Sequence, residues 1–264
     1  MEASFLRTHL GELYRYRVLI DSLARREVRA RYRGSVLGYL WTLLNPLLLL
    51  TVYVLVFSRF TRAVTIQNYA LFLFAGILPW QWLAGSITNG TTSIAHGGGL
   101  ITRVCMPPQI LPAVVVLSNL ANFLLALPVL VAASAMAGLW PSAALALLPI
   151  AVANELVFLY GASLIVATLT VRFRDVQFLV QNLLLVWFFL TPVAYPLDVV
   201  PERYRVLVET NPATALVRPF QEILFERRAP ETGHLALGAA TAVASLLLAV
   251  LLFEAMRDGV VEEI

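Results

Sequence analysis

The sequence contains no lysine, so all 19 of its basic residues are arginine. A phosphate-binding P-loop needs the lysine of its G-x-x-x-x-G-K-[ST] motif to reach the β- and γ-phosphates of a nucleotide. The chain therefore cannot build such a loop. Any work that ATP drives in this system must be done by a partner protein.

Cysteine and histidine are almost as scarce as lysine. Cys105 is the only cysteine, which excludes a disulfide within the chain. The three histidines, His9, His96 and His234, are far apart and do not show metal-ligand spacing. We therefore expect no catalytic residue, no metal site and no cofactor bound by this chain.

Charge is also sparse, because charged residues make up 13% of the chain and hydrophobic residues 59%. In soluble proteins roughly a quarter of the residues are charged. Most of the uncharged runs are long enough for one or two bilayer crossings at about 20 residues each. We predict an all-α membrane protein with six transmembrane helices, over residues 36–58, 69–90, 110–137, 143–170, 176–195 and 235–253.

Arginine is concentrated before the first predicted span, where seven of these residues lie between Arg15 and Arg33. Arginine is retained on the cytoplasmic side of a membrane, so the amino terminus is predicted to be cytoplasmic. An even number of spans returns the carboxyl terminus to the same side. Arg59 and Arg62 fall in an external loop and count against the rule, but they are outnumbered.

Residues 10–33 have the pattern of an amphipathic helix. Leu13, Tyr16, Ile20 and Leu23 recur at helical spacing, and arginines occupy much of the remaining circumference. A helix of this kind lies in the headgroup region of a membrane. It serves either as a topology anchor alone or also as a contact for a cytoplasmic partner. We expect one domain over 1–264, with this interface helix in 1–35, the spans in 36–253 and a cytoplasmic tail in 254–264.

Several short motifs occur in a fixed order along the chain. They are RGSVLGYLW at residues 33–41, AGILPW at 75–80, LITRV at 100–104, VRFRDV at 171–176 and TPVAYPL at 191–197. Together they resemble the permease subunits of bacterial ABC-type polysaccharide exporters, the type-2 ABC exporters that move O-antigen, capsule and teichoic-acid chains. The resemblance covers about residues 20–225. Where that family commonly has Phe-Pro followed by a basic and an acidic residue, this chain has Met106, Pro107, Pro108 and Gln109.

The resemblance implies a membrane subunit that exports lipid-linked polysaccharide across the bacterial cytoplasmic membrane. It implies a homodimer with two ATP-binding-cassette ATPase subunits, which bind ATP and Mg²⁺, and no nucleic-acid partner. Two alternatives stay open. One is an exporter of a small lipophilic compound, and the other is a proton-coupled carrier that needs no ATPase.

The resemblance also implies that the loop 91–108 holds a coupling helix that sits in a cleft of the ATPase, although an ordinary connector is the alternative. Candidate ATPase contacts occur in this loop and in the later loop at 172–175. They are Leu100, Ile101, Arg103, Val104, Met106, Arg172, Arg174 and Asp175. Asp175 has a second interpretation, because a carboxylate before a span can cap its helix.

Aromatic residues are plentiful in the predicted spans. Apolar faces of sugar rings can lie on aromatic faces, so such residues are candidates for a path along which a polysaccharide slides. Interface anchoring or packing is the alternative for each of them. The candidates are Trp41, Tyr53, Phe57, Trp187, Phe188 and Tyr195.

Two further features lie in the second half of the chain. Glu155 falls in the middle of the fourth predicted span, where a charged carboxylate costs free energy. It is predicted either to serve a proton relay or to pair with Asn154, Asn119 or Asn122. The segment 196–234 has mixed charge and is divided by prolines. By resemblance it forms a pair of short helices that dip toward the membrane as an outer gate, with a static surface cap as the alternative.

Overall fold

The computed structural model describes residues 2–35, 37–55, 67–104 and 106–262. Within these ranges all regular secondary structure is helical, which confirms the predicted fold class. The α-helices in chain order are α1 (Glu2–Arg15), α2 (Arg17–Tyr32), α3 (Trp41–Val54), α4 (Tyr69–Thr91), α5 (Ser93–Val104), α6 (Ile110–Met136), α7 (Leu148–Arg172), α8 (Val176–Leu190), α9 (Glu202–Glu209), α10 (Pro212–Leu224) and α11 (Thr232–Glu262). Short 3₁₀ turns cover Gly38–Leu40, Ala143–Leu147 and Leu197–Val199.

Four of the described helical segments are long and apolar enough to cross a membrane. They are Tyr69–Thr91, Ile110–Met136, Ala143–Arg172 and Thr232–Arg257, and they match the second, third, fourth and sixth predicted spans. Helix α8 covers the fifth predicted span but has 15 residues. Helix α3 covers part of the first, whose residues 36 and 56–58 lie outside the described ranges. The structure therefore supports a multi-pass membrane protein, and the count of six stays a prediction.

Helix α8 is shorter than its predicted span because the chain turns at Thr191. The Thr191 hydroxyl donates a hydrogen bond to the Trp187 carbonyl at 2.7 Å, and Pro192 follows. Proline has no N–H to donate, so it cannot continue the helical ladder. The Val193 N–H then donates to the Thr191 carbonyl at 2.7 Å, which closes a tight turn.

Helix α4 lies at the centre of the structure, and its residues 72–80 are all buried. The Trp82 ring stacks on Phe123 of α6 with the ring centroids 5.5 Å apart. Its indole N–H donates to the Val116 carbonyl at 3.2 Å. On its other side, the Phe123 ring meets Phe220 of α10 edge-on at 5.5 Å. One aromatic row thus joins α4, α6 and α10.

Helices α7 and α11 approach each other closely at a pair of small residues. A Cβ atom placed on Gly161 would lie 2.6 Å from the Ser245 carbonyl carbon and 2.8 Å from the Leu246 nitrogen. The Ser245 hydroxyl donates to the Phe158 carbonyl at 3.1 Å across the same contact. Small residues of this kind let helix backbones meet inside a membrane, where packing and hydrogen bonds hold helices together.

The amino-terminal amphipathic pattern forms two helices, α1 and α2, which meet at Tyr16. The apolar residues Ile20 and Ala24 of α2 are buried in a cluster with Ile110 and Val114 of α6. Leu13, Tyr16 and Leu23 pack partly buried against this cluster. The predicted apolar stripe therefore covers the helical bundle, while most of the arginines stay exposed.

Helix α1 is fixed to the bundle by His9, which is 1% exposed. Its Nε2 atom and the Tyr160 hydroxyl of α7 form a hydrogen bond, and its ring meets Phe253 of α11 edge-on at 6.1 Å. Burial lowers the pKa of His9 to about 4, and the nearby Arg257 guanidinium adds to this effect. The imidazole is therefore neutral at physiological pH.

The contact between α7 and α11 predicts the effect of Gly161→Val. The added side chain meets backbone atoms that cannot move aside, so we expect a loss of about 1–3 kcal/mol of stability. Thermal unfolding of the detergent-purified protein measures this as a lower melting temperature. Gly233→Ala in α11 is the matched control because a Cβ atom there meets nothing within 4 Å. An unchanged melting temperature for Gly161→Val would contradict this close packing.

The burial of His9 predicts a pH dependence of stability. A histidine whose folded pKa lies near 4, against 6.5 when unfolded, stabilises the fold fully above pH 6.5 and loses this contribution as the pH falls toward 4. The full loss amounts to about 3 kcal/mol. Melting temperatures between pH 7.5 and 4 measure it, and His9→Gln should flatten the decline. An equally steep decline in the variant would assign the effect to other groups.

Candidate functional site

The predicted coupling loop contains helix α5, which has 12 residues, or about three turns. Pro107 and Pro108 follow it and prevent a continuous helix into α6. A Cβ atom on Gly97 would overlap the Leu111 side chain, so glycine permits α5 to lie against α6. The loop is thus a helix seated on the bundle, and its role as a coupling helix stays a prediction.

The predicted ATPase contacts of this loop differ in exposure. Met106 is 3% exposed and belongs to the apolar cluster of α2 and α6, and Leu100 and Ile101 are partly buried against the same cluster. Val104 at the end of α5 is 46% exposed. Arg103 lies in the same helical turn, and its side chain is outside the described part of the structure. The exposed end of α5 is therefore centred on Val104.

The second predicted contact region is the turn between α7 and α8. Arg172, Arg174 and Asp175 are all exposed there. The capping interpretation of Asp175 is wrong, because its side chain makes no capping hydrogen bond. Its carbonyl oxygen instead accepts from the N–H groups of Phe178 and Leu179, at 3.0 and 3.1 Å. The Asp175 backbone is already helical, at φ −68° and ψ −18°, whereas the backbone of a capping residue is ordinarily extended.

Three of the predicted path residues contact other parts of the chain, and one of them, Phe188, is buried. Phe188 is 7% exposed and meets the Trp80 ring at 5.4 Å. Trp187 is half-buried and donates its indole N–H to the Asn211 side-chain oxygen at 2.7 Å. The Tyr195 hydroxyl donates to the Phe189 carbonyl at 2.9 Å. These contacts agree with the packing alternative for all three residues.

The other predicted path residues lie in or beside α3. Trp41 begins this helix and is 39% exposed. Tyr53 is in the same helix, but its side chain is outside the described part, and Phe57 lies in the gap at 56–66. Trp41 is therefore the most exposed of the predicted path residues whose side chains the structure describes.

The segment 196–234 forms short helices, as expected, in α9 and α10. Asn211 starts α10 because its side-chain oxygen accepts from the Ala213 N–H at 3.0 Å and Pro212 follows it. Helix α10 is buried along most of its length. The Gln221 amide donates to the carbonyls of Pro192 and Val193 at 3.3 and 3.2 Å. These bonds tie α10 to the turn that ends α8.

Charged side chains of α10 and the following turn form what we term the α10–α11 ion-pair cluster. Arg228 pairs with Glu222 at 2.6 Å and with Glu226 at 2.7 Å, while Arg218 pairs with Glu226 at 2.5 Å. The Glu222 side chain is fully buried, and burial alone would raise its pKa. His234, Arg218 and Arg228 outweigh burial, so the pKa of Glu222 is lowered overall.

Three potential metal-ligating atoms also meet in this cluster. Oxygens of Glu222 and Glu231 and a ring nitrogen of His234 lie within 4.8 Å of one another. Spacing along the sequence did not predict this grouping. Arg228 already contacts both carboxylates, at 2.6 and 3.4 Å. The Arg228 guanidinium therefore supplies the positive charge that a metal ion would otherwise bring to these carboxylates, so we assign the group as an ion-pair cluster.

Glu155 of α7 is fully buried, and neither carboxylate oxygen has a hydrogen-bond partner among the described residues. The predicted pairing with Asn154, Asn119 or Asn122 is therefore wrong. The Asn154 amide donates to the Leu235 carbonyl and the Asn119 amide to the Val115 carbonyl. A proton relay requires a hydrogen-bonded neighbour, so this arrangement does not supply one.

A polar cavity of about 320 Å³ lies between α2, α3, α4 and α6, and we term it the amide cavity. Four carboxamides and one guanidinium line it, from Asn45, Gln81, Asn119, Asn122 and Arg31. Aromatic rings of Trp41, Trp82 and Phe123 complete much of the wall. Sequence analysis did not single out this site. The available signal was the recurrence of Asn and Gln within predicted spans, where such residues usually face protein or water.

Arg31 of α2 lies at the edge of the amide cavity. Its guanidinium donates to the Asn119 side-chain oxygen at 2.8 Å and to the Ser118 hydroxyl at 3.3 Å. It also pairs with Glu27 at 3.4 Å. Arg31 lines a second polar cavity of about 390 Å³ as well, beside Glu27, Asn89 and His96. The two polar cavities therefore adjoin the same side chain.

Comparison with known proteins agrees with this architecture. The family model described as ABC-2 type transporter matches residues 18–225. The chain is 42% identical to the O-antigen export system permease protein RfbA of Myxococcus xanthus, over 96% of this chain and 98% of that protein. It is 33% identical to a protein of the same name from Klebsiella pneumoniae, over 83% of each chain.

The α10–α11 ion-pair cluster predicts the effect of Arg228→Gln. This change leaves the buried Glu222 carboxylate without its closest cation, and we expect a loss of about 2–3 kcal/mol in stability at neutral pH. Because the folded pKa of Glu222 is lowered, the wild-type cluster stabilises above pH 4.5 and weakens as the pH falls below it. Thermal unfolding at pH 7 and at pH 4 measures both effects.

Arg205→Gln is the control, because Arg205 forms an exposed pair with Glu209. Exposed pairs contribute at most about 1 kcal/mol. The destabilisation by Arg228→Gln should also shrink as the pH falls below 4.5, because the cluster then contributes less in the wild-type protein. Equal melting temperatures for the two variants at pH 7 would contradict the importance of the cluster.

Proposed function

The chain belongs to the ABC-2 type transporter family, and from this we propose that it is the membrane-spanning permease subunit of an ATP-driven exporter of lipid-linked polysaccharide. The cargo is a chain of the O-antigen, capsule or teichoic-acid type. The observation that carries the proposal is the 42% identity, along almost the full length of both chains, to an O-antigen export permease. The subunit is a transporter component and not an enzyme.

The proposed topology has six spans in one domain of a bacterial inner-membrane protein. Helices α4, α6, α7 and α11 supply four spans, and α8 and the segment containing α3 supply the other two. The arginines of α2 support a cytoplasmic position for both termini. The interface helix in 1–35, the spans in 36–253 and the tail in 254–264 form that single domain.

The proposed assembly is a homodimer with two ABC ATPase subunits on the cytoplasmic side. Six spans in one chain seldom enclose a route wide enough for a glycan, so the pore lies between two copies. The missing lysine supports a separate ATPase, which binds ATP and Mg²⁺. Contact with it is made by the exposed end of α5 at Val104, with Arg103, and by the turn carrying Arg172, Arg174 and Asp175.

The proposed coupling runs from α5 into the bundle. Leu100, Ile101 and Met106 attach the α5 segment to the apolar cluster of α2 and α6. Ile101 also packs against the cluster that contains Leu164 of α7 and Phe253 of α11. A push on the exposed end of α5 would therefore reach four other helices through close-packed side chains.

Helix α10 is the proposed outer gate. It lies in the bundle beside α4 and is tied by Gln221 to the end of α8 and by Glu222 to Arg228. The mixed polar and apolar lining of the amide cavity supports a glycan over a small lipophilic compound as cargo. Within the described part of the chain, neither Glu155 oxygen has a hydrogen-bond partner, which counts against a proton-coupled carrier.

The decisive experiment is export of lipid-linked glycan by vesicles that contain this chain and the ATPase encoded beside it. The variant Arg103→Ala/Val104→Asp should reduce both ATPase co-purification and export about tenfold, because two contacts at the exposed end of α5 are removed. Arg203→Ala/Val206→Asp, an exposed pair on α9, is the matched control and should leave co-purification unchanged.

Two results would contradict these proposals. Unimpaired co-purification and export in the α5 variant would show that α5 is not the coupling helix. Glycan export that continues without any ATPase would exclude an ABC exporter, whatever the α5 variant does.

A further inference from the structure

We propose that the amide cavity is a saccharide-binding site, in which a neutral stretch of the cargo glycan is held within one subunit. The inference rests on the proposed function for the identity of the cargo. It goes beyond that function because it assigns binding to a cavity inside each chain, between α2, α3, α4 and α6.

Two of the four amides of the cavity lie deep in the spans. Gln81 is about 18 Å along α4 from Tyr69, and Asn122 is about 18 Å along α6 from Ile110, at 1.5 Å per residue. Both side chains are therefore near the middle of helices that can cross the membrane. A carboxamide without a partner in an apolar medium costs several kcal/mol, so such groups are expected to face water or a polar ligand.

Two of these amides have no protein partner. Within the described residues, neither Gln81 nor Asn45 makes a hydrogen bond, although both line the cavity. Packing therefore gives no account of their presence in the spans. Each amide offers two N–H donors and a carbonyl acceptor, which match hydroxyl groups that both donate and accept.

The aromatic walls fit the other surface of a sugar. Trp41 lines the cavity and is 39% exposed, and Trp82 is fixed against Phe123. Aromatic faces accept the apolar C–H faces of sugar rings, while the amides bind the hydroxyl edges. A cavity of 320 Å³ is at the small end of ligand sites, which fits a short stretch of glycan.

The charge of the cavity favours a neutral sugar over a phosphate group. Arg31 is the one cation among the residues that line it. Its guanidinium already donates to Asn119 and Ser118 and pairs with Glu27. A diphosphate would have to displace these partners, whereas a neutral hydroxyl would need only the amides.

The first test measures protection of a cysteine inside the cavity. Ala126→Cys, in a chain carrying Cys105→Ser and assembled with its ATPase, places a thiol on the wall without removing any amide. We expect a polar methanethiosulfonate to label it. Oligosaccharide released by mild acid from the host's surface polysaccharide should slow the labelling severalfold, and inorganic pyrophosphate should not. Val206→Cys, on α9 outside the proposed spans and 69% exposed in the native chain, is the control and should label equally with and without sugar.

The second test removes one amide. Gln81→Leu in the Ala126→Cys chain should weaken protection by the oligosaccharide about tenfold, the effect of losing roughly one hydrogen bond. Gln81→Asn should recover part of it. Thr168→Val, which removes a buried hydroxyl of α7 outside the cavity, should leave protection unchanged.

The outcomes separate the two proposals. Glycan export by the wild-type complex without protection of the cavity cysteine would overturn the saccharide site and leave the proposed function intact. Protection without glycan export would support the site and contradict the proposed function. Protection by pyrophosphate alone would assign the cavity to a phosphate group and overturn the saccharide proposal.

Discussion

A polar group that enters a lipid bilayer must find its partner inside the protein, because hydrocarbon offers none. The contacts between helices in this chain follow that constraint. The Trp82 indole and the Ser163 hydroxyl bond to carbonyls of neighbouring helices, at 3.2 and 3.1 Å. Gln221 does the same for the turn after α8. Each such bond joins two different elements, so the hydrogen bonds that satisfy polar groups also fix the positions of the helices.

The places where this constraint is unmet are therefore informative. Within the described ranges Asn45 and Gln81 make no hydrogen bond, and both line one cavity together with Trp41. Glu155 is different, since it is buried away from the described cavities and its oxygens accept no hydrogen bond from any residue that the structure describes. Amides without such partners around an accessible space indicate a ligand or water, whereas a single enclosed carboxylate indicates neither.

The fold was predictable where it depends on local composition. Long uncharged runs predicted the helices around α4, α6, α7 and α11, and the spacing of Leu13, Tyr16, Ile20 and Leu23 predicted the buried stripe of the amino-terminal helices.

The site was less predictable because its residues are distant in sequence. Gln81 and Asn122 meet only when α4 packs on α6, and Glu222 meets Arg228 only after the turn at Arg227, whose φ is 60°. Asp175 failed as a cap because its backbone is helical.

Helix α2 connects the two regions to which we assign function. Ile20 and Ala24 share an apolar cluster with Met106, which directly follows the α5 segment. Arg31, two helical turns after Ala24, bonds to Asn119 at the edge of the amide cavity. A rigid helix transmits a displacement of one end to the other, because its backbone hydrogen bonds resist bending. Movement of α5 by a bound ATPase would thus act on the guanidinium that borders both polar cavities. Helix α2, which carries the arginine-rich face, can therefore link the ATPase to the polar side chains that line the cavities between the spans.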